Sequence, residues 1–235
     1  VKKAVRGEKA LPDNNVSVTA LSFTEYVMSG QRGRINIVSE QRGMYLTDDP
    51  RVCGFYNPIR DAMRRAVNST EPELELKKAV MAANRTGQPR AFEEIADGFL
   101  PWLAAFKATG VPVEGTTYRA GELTLKVRPH LGLRRKDGST HAVLVHTKEV
   151  PLTREAANVG LRILQHTIAD TLPGATPMVL DVRRGKAYQM PKRTNLGKLD
   201  VLIAAEAMGY VTHWKLSGLF EAMQDGQAEA VGKVG

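Results

Sequence analysis

Three groups of closely spaced cations have the chemistry to hold a polyanion. Arg134, Arg135 and Lys136 fall on an expected hairpin tip, Arg183, Arg184 and Lys186 on a second turn, and Lys192 and Arg193 at a strand end. Arg and Lys on turns reach phosphate oxygens readily, and such contacts position a duplex without reading its bases. The same pattern also serves a surface kept charged for solubility. A second set, His130, His146 and Lys148, offers imidazole and amine groups. With a third ligand, two histidines suit a transition metal. A lone histidine is more simply a satisfied structural side chain.

The distribution of charge favours the polyanion reading. The chain of 235 residues carries a net charge of +8. Residues 111–193 hold 14 Lys and Arg against 7 Asp and Glu, a net of +7, whereas residues 194–235 are net −2. One third of the chain thus carries nearly all the excess, which points to nucleic acid as the partner. Aromatic residues are few and mostly at core spacing (Phe92, Phe99, Trp102, Phe106). Contact with a duplex backbone is therefore expected over base stacking on a single strand. A single cysteine, Cys53, excludes an intramolecular disulfide framework and a cysteine-rich zinc module. It fits a reducing compartment, and with no apolar run of membrane-spanning length the expectation is a cytoplasmic protein without membrane contact. No Walker A loop, dinucleotide fingerprint, zincin motif or nucleophile elbow occurs.

Periodicity supplies the elements that must position these groups. Ser22 and Glu25 fit a capping box for a first helix. Glycines at 30, 33 and 43 bracket a stretch read as a short hairpin over 34–41. Helices are expected over 58–67, 74–84 and 89–108, the last kinked or split at Pro101. Gly110, Pro112 and Gly115 mark a boundary. Beyond it, residues 122–128 alternate as a half-buried strand, Asp137-Gly138 signals a turn, and residues 141–149 read as a central strand, apolar on both faces. Thr153 caps a helix to Leu172, Pro177–Val182 is a strand, and the three form a βαβ unit. A return strand over 186–190 and helices over 199–208 and 213–223 follow; a helix-turn-helix around Gly209 is disfavoured by the net acidic segment.

That order, α-β-β-α-β, together with Pro129-His130, Asp137-Gly138 and His146-Thr147-Lys148, resembles the PD-(D/E)XK nuclease superfamily over residues 89–190. The resemblance implies an acid after the proline and a second acid two residues before the lysine, so that two carboxylates hold Mg²⁺ and the lysine positions the attacking water. Here Lys148 matches, but His130 and His146 stand at both acid positions, and histidine is a poor ligand for Mg²⁺. What the resemblance implies is therefore a degenerate scaffold, with no metal expected, that binds DNA or assembles in phage, mobile-element or defence biology. The alternatives are an active Mg²⁺-dependent endonuclease with relocated acids (candidates Glu93, Glu94, Glu122, Asp137 and Asp181, with Glu149 the least suited) and a protein-interaction or assembly subunit. A protein partner or homo-oligomer fits any of these.

The expected fold class is thus α/β, a PD-(D/E)XK-like core of mixed sheet flanked by helices with a mainly helical N-terminal lobe. Residues 1–15 are read as a mobile basic arm, 16–88 as the helical lobe, 89–193 as the α/β core, 194–224 as C-terminal helices and 225–235 as a flexible tail.

Overall fold

A computed structural model describes residues 16–47 and 54–231; the expected basic arm over 1–15 and Cys53 lie outside them. The fold is α/β, with two mixed sheets flanked by helices. The first elements of the described residues are β1 (Val16–Thr19) and α1 (Ala20–Met28). The cap of α1 is Thr19, whose hydroxyl accepts the Ser22 amide at 3.2 Å, one turn earlier than the expected capping box. Ser22 and Glu25 lie inside the helix.

The hairpin expected over 34–41 is a helix, α2 (Gln31–Leu46). Its glycines have ordinary negative φ, and a Cβ at Gly43 would meet nothing within 4 Å. Tertiary contact outweighs the weak local propensity: Val38 and Gln41 are buried, and the Tyr210 hydroxyl donates to Gln41 Oε1 at 2.6 Å. Then come α3 (Asn57–Ala66), α4 (Pro72–Met81) and α5 (Gln88–Phe106), each with proline in its first turn, where the missing N–H costs nothing. Pro101 does not split α5, which ends at Lys107 in the left-handed region (φ 54).

The stretch read as a boundary holds an edge strand, β2 (Ala108–Val111), then β3 (Thr116–Ala120) and β4 (Leu123–Val127). β5 (Leu131–Arg135) and β6 (Thr140–His146) form the hairpin that Asp137-Gly138 signalled, Gly138 taking φ 83. The strand paired with β6 is therefore β5, and β4 belongs to another sheet. The βαβ unit forms as expected: β6 and β7 (Thr176–Asp181) are parallel, joined by α6 (Arg154–His166) and the short α7 (Ile168–Thr171). The helix breaks at Thr167, whose hydroxyl donates to the carbonyls of Ile163 and Leu164. A 3-10 turn at Val182–Arg184 leads to β8 (Lys186–Tyr188). One helix, α8 (Leu196–Val231), replaces the two expected helices, so no helix-turn-helix exists there. Gly209 marks close packing instead of a break, since a Cβ would lie 2.7 Å from Tyr26 Oη. The α8 backbone stays helical past 225, where a tail was expected.

The strand orders are β1-β4-β3 and β2-β5-β6-β7-β8. The five-stranded sheet is buried on both faces. Leu131, Leu133, Val143, Val145, Met178 and Leu180 pack with Ile59, Met63, Phe92, Ile95 and Phe99 of α3–α5. Ala142, Leu144 and Val179 pack with α6, α8, α1 and the inner face of the three-stranded sheet. Each such aliphatic residue contributes roughly 1.5–3 kcal/mol on burial. The expected helical lobe over 16–88 is thereby divided: α1 and α2 cover one side of the sheet, α3 and α4 the other. Among the described residues no helix is long and apolar enough to cross a membrane.

Candidate functional site

The sheet brings His130, His146 and Asp181 to one end. His130 precedes β5, His146 ends β6, and Asp181 ends β7 opposite His146 in register. In open α/β sheets this end, beyond the carboxyl termini of parallel strands, is where ligands bind. The two histidines are built into the backbone. His130 donates its amide to Val143 O at 2.7 Å and accepts the Val145 amide on Nδ1 at 3.0 Å. That bond leaves the ring proton on Nε2. Burial holds its pKa well below the usual 6.5, and the nearby Arg60 and Arg64 guanidinium groups depress it further. His146, also buried, donates from Nε2 to Val150 O at 2.8 Å.

Lys148 does not share a strand face with His146. β6 ends at His146, the period-two alternation ends with it, and Lys148 lies in a bend, half exposed. Its ammonium pairs with Glu25 of α1 at 3.5 Å. The acid–lysine geometry expected of that spacing is therefore absent.

Arginines from α3 occupy the space instead. Arg64 Nε donates to His130 O at 3.0 Å, while its Nη1 pairs with Asp61. Arg60 reaches the Thr147 hydroxyl at 3.3 Å and lies over the Tyr56 ring at 5.7 Å. Its Nε is buried without a hydrogen-bond partner among the described residues, and burial lowers its pKa from the ordinary value. Arg183, read as a turn cation, is a structural tie with only 7% of its side chain exposed. It donates to Thr147 O at 2.8 Å, to Tyr56 Oη at 3.3 Å and to Glu94. Arg184 is held by Asp181 at 3.1 Å and by Glu149 O. Neither points freely to a phosphate.

The candidate replacement acids do not converge. Glu93 is exposed on α5. Glu94 is held by Arg90 and Arg183, which keep its carboxyl below the usual range. Glu122 pairs with Lys215 in the other sheet region. Asp137 closes the hairpin tip, accepting from the Ser139 amide at 2.9 Å, and those Ser139 hydrogen bonds lower its pKa. Asp181 is buried and accepts from the Leu152 amide at 3.0 Å. Among the described residues, no three His, Cys, Asp or Glu side chains gather as a metal-holding group. The end of β6 is a hydrogen-bonded network in which Arg64, Arg183 and Arg184 are tied to carboxylates and backbone carbonyls.

The remaining cations split between the two sheet ends. Lys186 starts β8 at the His146 end and lies 5.0 Å from the Tyr188 ring. Arg134, Arg135 and Lys136 project from the opposite end, roughly 20 Å away along β6 at a strand rise of ~3.3 Å per residue. All three are exposed, and Arg135 lies over Phe106 at 5.5 Å and pairs with Asp137. Lys192 and Arg193 are exposed in the turn before α8.

Sequence reasoning missed Arg60, Arg64, Tyr56 and Thr147. The one available signal was the spacing of Arg60 and Arg64, four apart and so on one helix face. No protein-family model matches this chain, nor does any curated protein.

Proposed function

We propose that this is a nucleic-acid-associated protein, a binder of duplex DNA on a PD-(D/E)XK-like scaffold whose metal-holding acids are replaced. One observation carries the reading. Where the resemblance calls for two carboxylates around Mg²⁺, the sheet end presents a neutral His130, a backbone-tied His146, and Arg60 and Arg64 from α3. Imidazole and guanidinium groups are poor ligands for a hard cation, so the exchange favours binding over metal-dependent chemistry. The antiparallel β5–β6 hairpin and the parallel β6–α6–β7 unit support the scaffold. The exposed cations at 134–136, 192 and 193 supply the sequence-independent attraction that DNA backbone contact needs. The proposed compartment is the cytoplasm, and any catalysis departs from the two-carboxylate pattern of the family.

A second reading, an assembly subunit, is favoured by α8. Leu216, Leu219, Phe220 and Met223 are each more than half exposed and recur at helical spacing along one stripe. A row spaced in this way suits a helical protein partner, and a second copy of this chain is the occupant tested first.

Fluorescence anisotropy with a short labelled duplex, over a salt series with and without Mg²⁺, tests the first reading. Binding that weakens steeply with salt and is indifferent to Mg²⁺ is the expected result. Mg²⁺-dependent cutting would replace it with the nuclease reading, and absence of binding at low salt would remove nucleic acid altogether. Light scattering on the same sample reads the second: a Leu219→Glu/Phe220→Glu variant should turn a dimer into a monomer.

A further inference from the structure

The three-stranded sheet has one face in the core and one outside. Val16, Val18, Leu123, Leu125 and Val127 are buried, and Tyr118 packs against them from β3. The period of two sends the alternate residues outward. On β4 these are Thr124 and Lys126, followed by Arg128 just past the strand; on β3 they are Thr117 and Arg119. The register sets Arg119 opposite Thr124, and Lys126 opposite Thr117. A two-strand patch thus carries three cations on neighbouring rungs.

These cations differ from the arginines at the end of β6. Arg183 and Arg184 are each held by a carboxylate and by backbone carbonyls. Arg119, Lys126 and Arg128 have no ion pair and no side-chain hydrogen bond among the described residues. Arg128 only rests its stem on Gly115, where a Cβ would lie 3.1 Å from Arg128 Cγ. The nearest acid in sequence, Glu122, is engaged by Lys215. These cations are left without a carboxylate of their own among the described residues, and a polyanion would supply the counter-charge.

Spacing and composition narrow the partner. Same-face residues two apart on a strand are about 6.8 Å apart at ~3.4 Å per residue, and charges along one nucleic-acid strand repeat every ~3.4 Å of axis. Lys126 and Arg128 are far enough apart to engage separate phosphates. On β3 and β4 the outward residues include hydroxyls and no aromatic ring among the described residues, since Tyr118 points inward and stacks on His166 at 5.1 Å. It can grip a phosphodiester backbone, and it has nothing on which an unpaired base would stack.

We infer that the outer face of the three-stranded sheet, through Arg119, Lys126 and Arg128, is the main docking surface for the backbone of duplex DNA. The inference rests on the nucleic-acid reading above and assigns to it a surface distinct from the turn cations. Two triple variants separate the claims: Arg119→Thr/Lys126→Thr/Arg128→Gln on the sheet face, and Arg134→Gln/Arg135→Gln/Lys136→Gln at the hairpin tip. Threonine keeps β-propensity, and thermal melts check that both fold. If the sheet face docks the backbone, the sheet variant flattens the slope of log K against log salt by about 2–3, as loss of three phosphate contacts requires. A companion Arg119→Lys/Lys126→Arg/Arg128→Lys variant then keeps the wild-type slope. Wild-type binding with an unchanged slope in the sheet variant overturns the surface and leaves the nucleic-acid reading standing. No binding by the wild type overturns both.

Discussion

At the residue scale, the histidines at the two acid positions are structural acceptors and donors. Burial keeps His130 neutral in the folded state, while in the unfolded chain it titrates near 6.5. His141 is shifted the same way, by burial and then by Arg135. The unfolded state therefore binds more protons below that pH, so stability is full above about 6.5 and falls as pH drops. For one such histidine the slope is at most about 1.4 kcal/mol per pH unit. His130→Asn supplies an uncharged acceptor for the Val145 amide. Urea midpoints at pH 7.5 and 5.5 should lie closer together in that variant than in the wild type, with the His141 contribution remaining. Arg183, in the 3-10 turn, and Arg134, near the exposed end of β5, are both turn cations by sequence and should separate sharply in denaturation. Arg183→Gln strands the buried carbonyl of Thr147 and should cost about 1–3 kcal/mol. Arg134→Gln should stay within about 0.5 kcal/mol.

At the element scale, legibility followed internal periodicity. α3, α5, β6, α6 and β7 carry enough residues of one pattern to be read without their neighbours. β2, β3 and β5 have four or five residues each and carry glycine or adjacent polar residues in place of the clean alternation that made the equally short β4 legible. Gly110, read as part of a boundary, sits inside β2, and Gly132 sits inside β5. At Gly132 a Cβ would lie 2.5 Å from Val111 O, so the glycine permits close approach of β5 and β2. The site was legible in part for the same reason. His130 and His146 reach one sheet end because a hairpin joins them, a local relation. Arg60 lies 87 residues from Thr147, and Arg183 lies 89 from Glu94, and no local pattern encodes such pairs. Two glycine substitutions test the packing account with opposite signs. Gly98→Ala places a Cβ 1.9 Å from Val182 O, where α5 crosses the 3-10 turn, and should destabilise by about 1–3 kcal/mol or more. Gly43→Ala, in open space on α2, should stabilise by about 0.5–1 kcal/mol. Thermal melts of both read the difference.

At the scale of the whole molecule, the two cores share one sheet and neither is complete without distant chain. Residues 89–193 alone would lose α1, α2 and α8 from one face and α3 and α4 from the other. That fragment should show no cooperative unfolding transition by circular dichroism, whereas a chain of residues 16–231 should. The charges are arranged on the same scale. Cations of the described fold are tied down at the β6 end, and those on the outer sheet face and at the hairpin tip are more exposed, with Arg135 paired to Asp137. Added salt should therefore weaken DNA binding far more than it changes the melting temperature.

The parallel pairing of β1 with β4 constrains how the chain matures on the ribosome. Val16 aligns with Leu123 and Thr19 with Lys126, so β1 has no partner in its sheet until more than a hundred further residues have emerged. At roughly 5–20 residues per second, that is a wait of about 5–20 seconds. During that interval α3, α4 and α5 can gather as a nascent helical cluster, but the apolar side chains of β1 and α1 stay uncovered. β1 and α1 are thus the elements whose apolar side chains most need chaperone cover during translation.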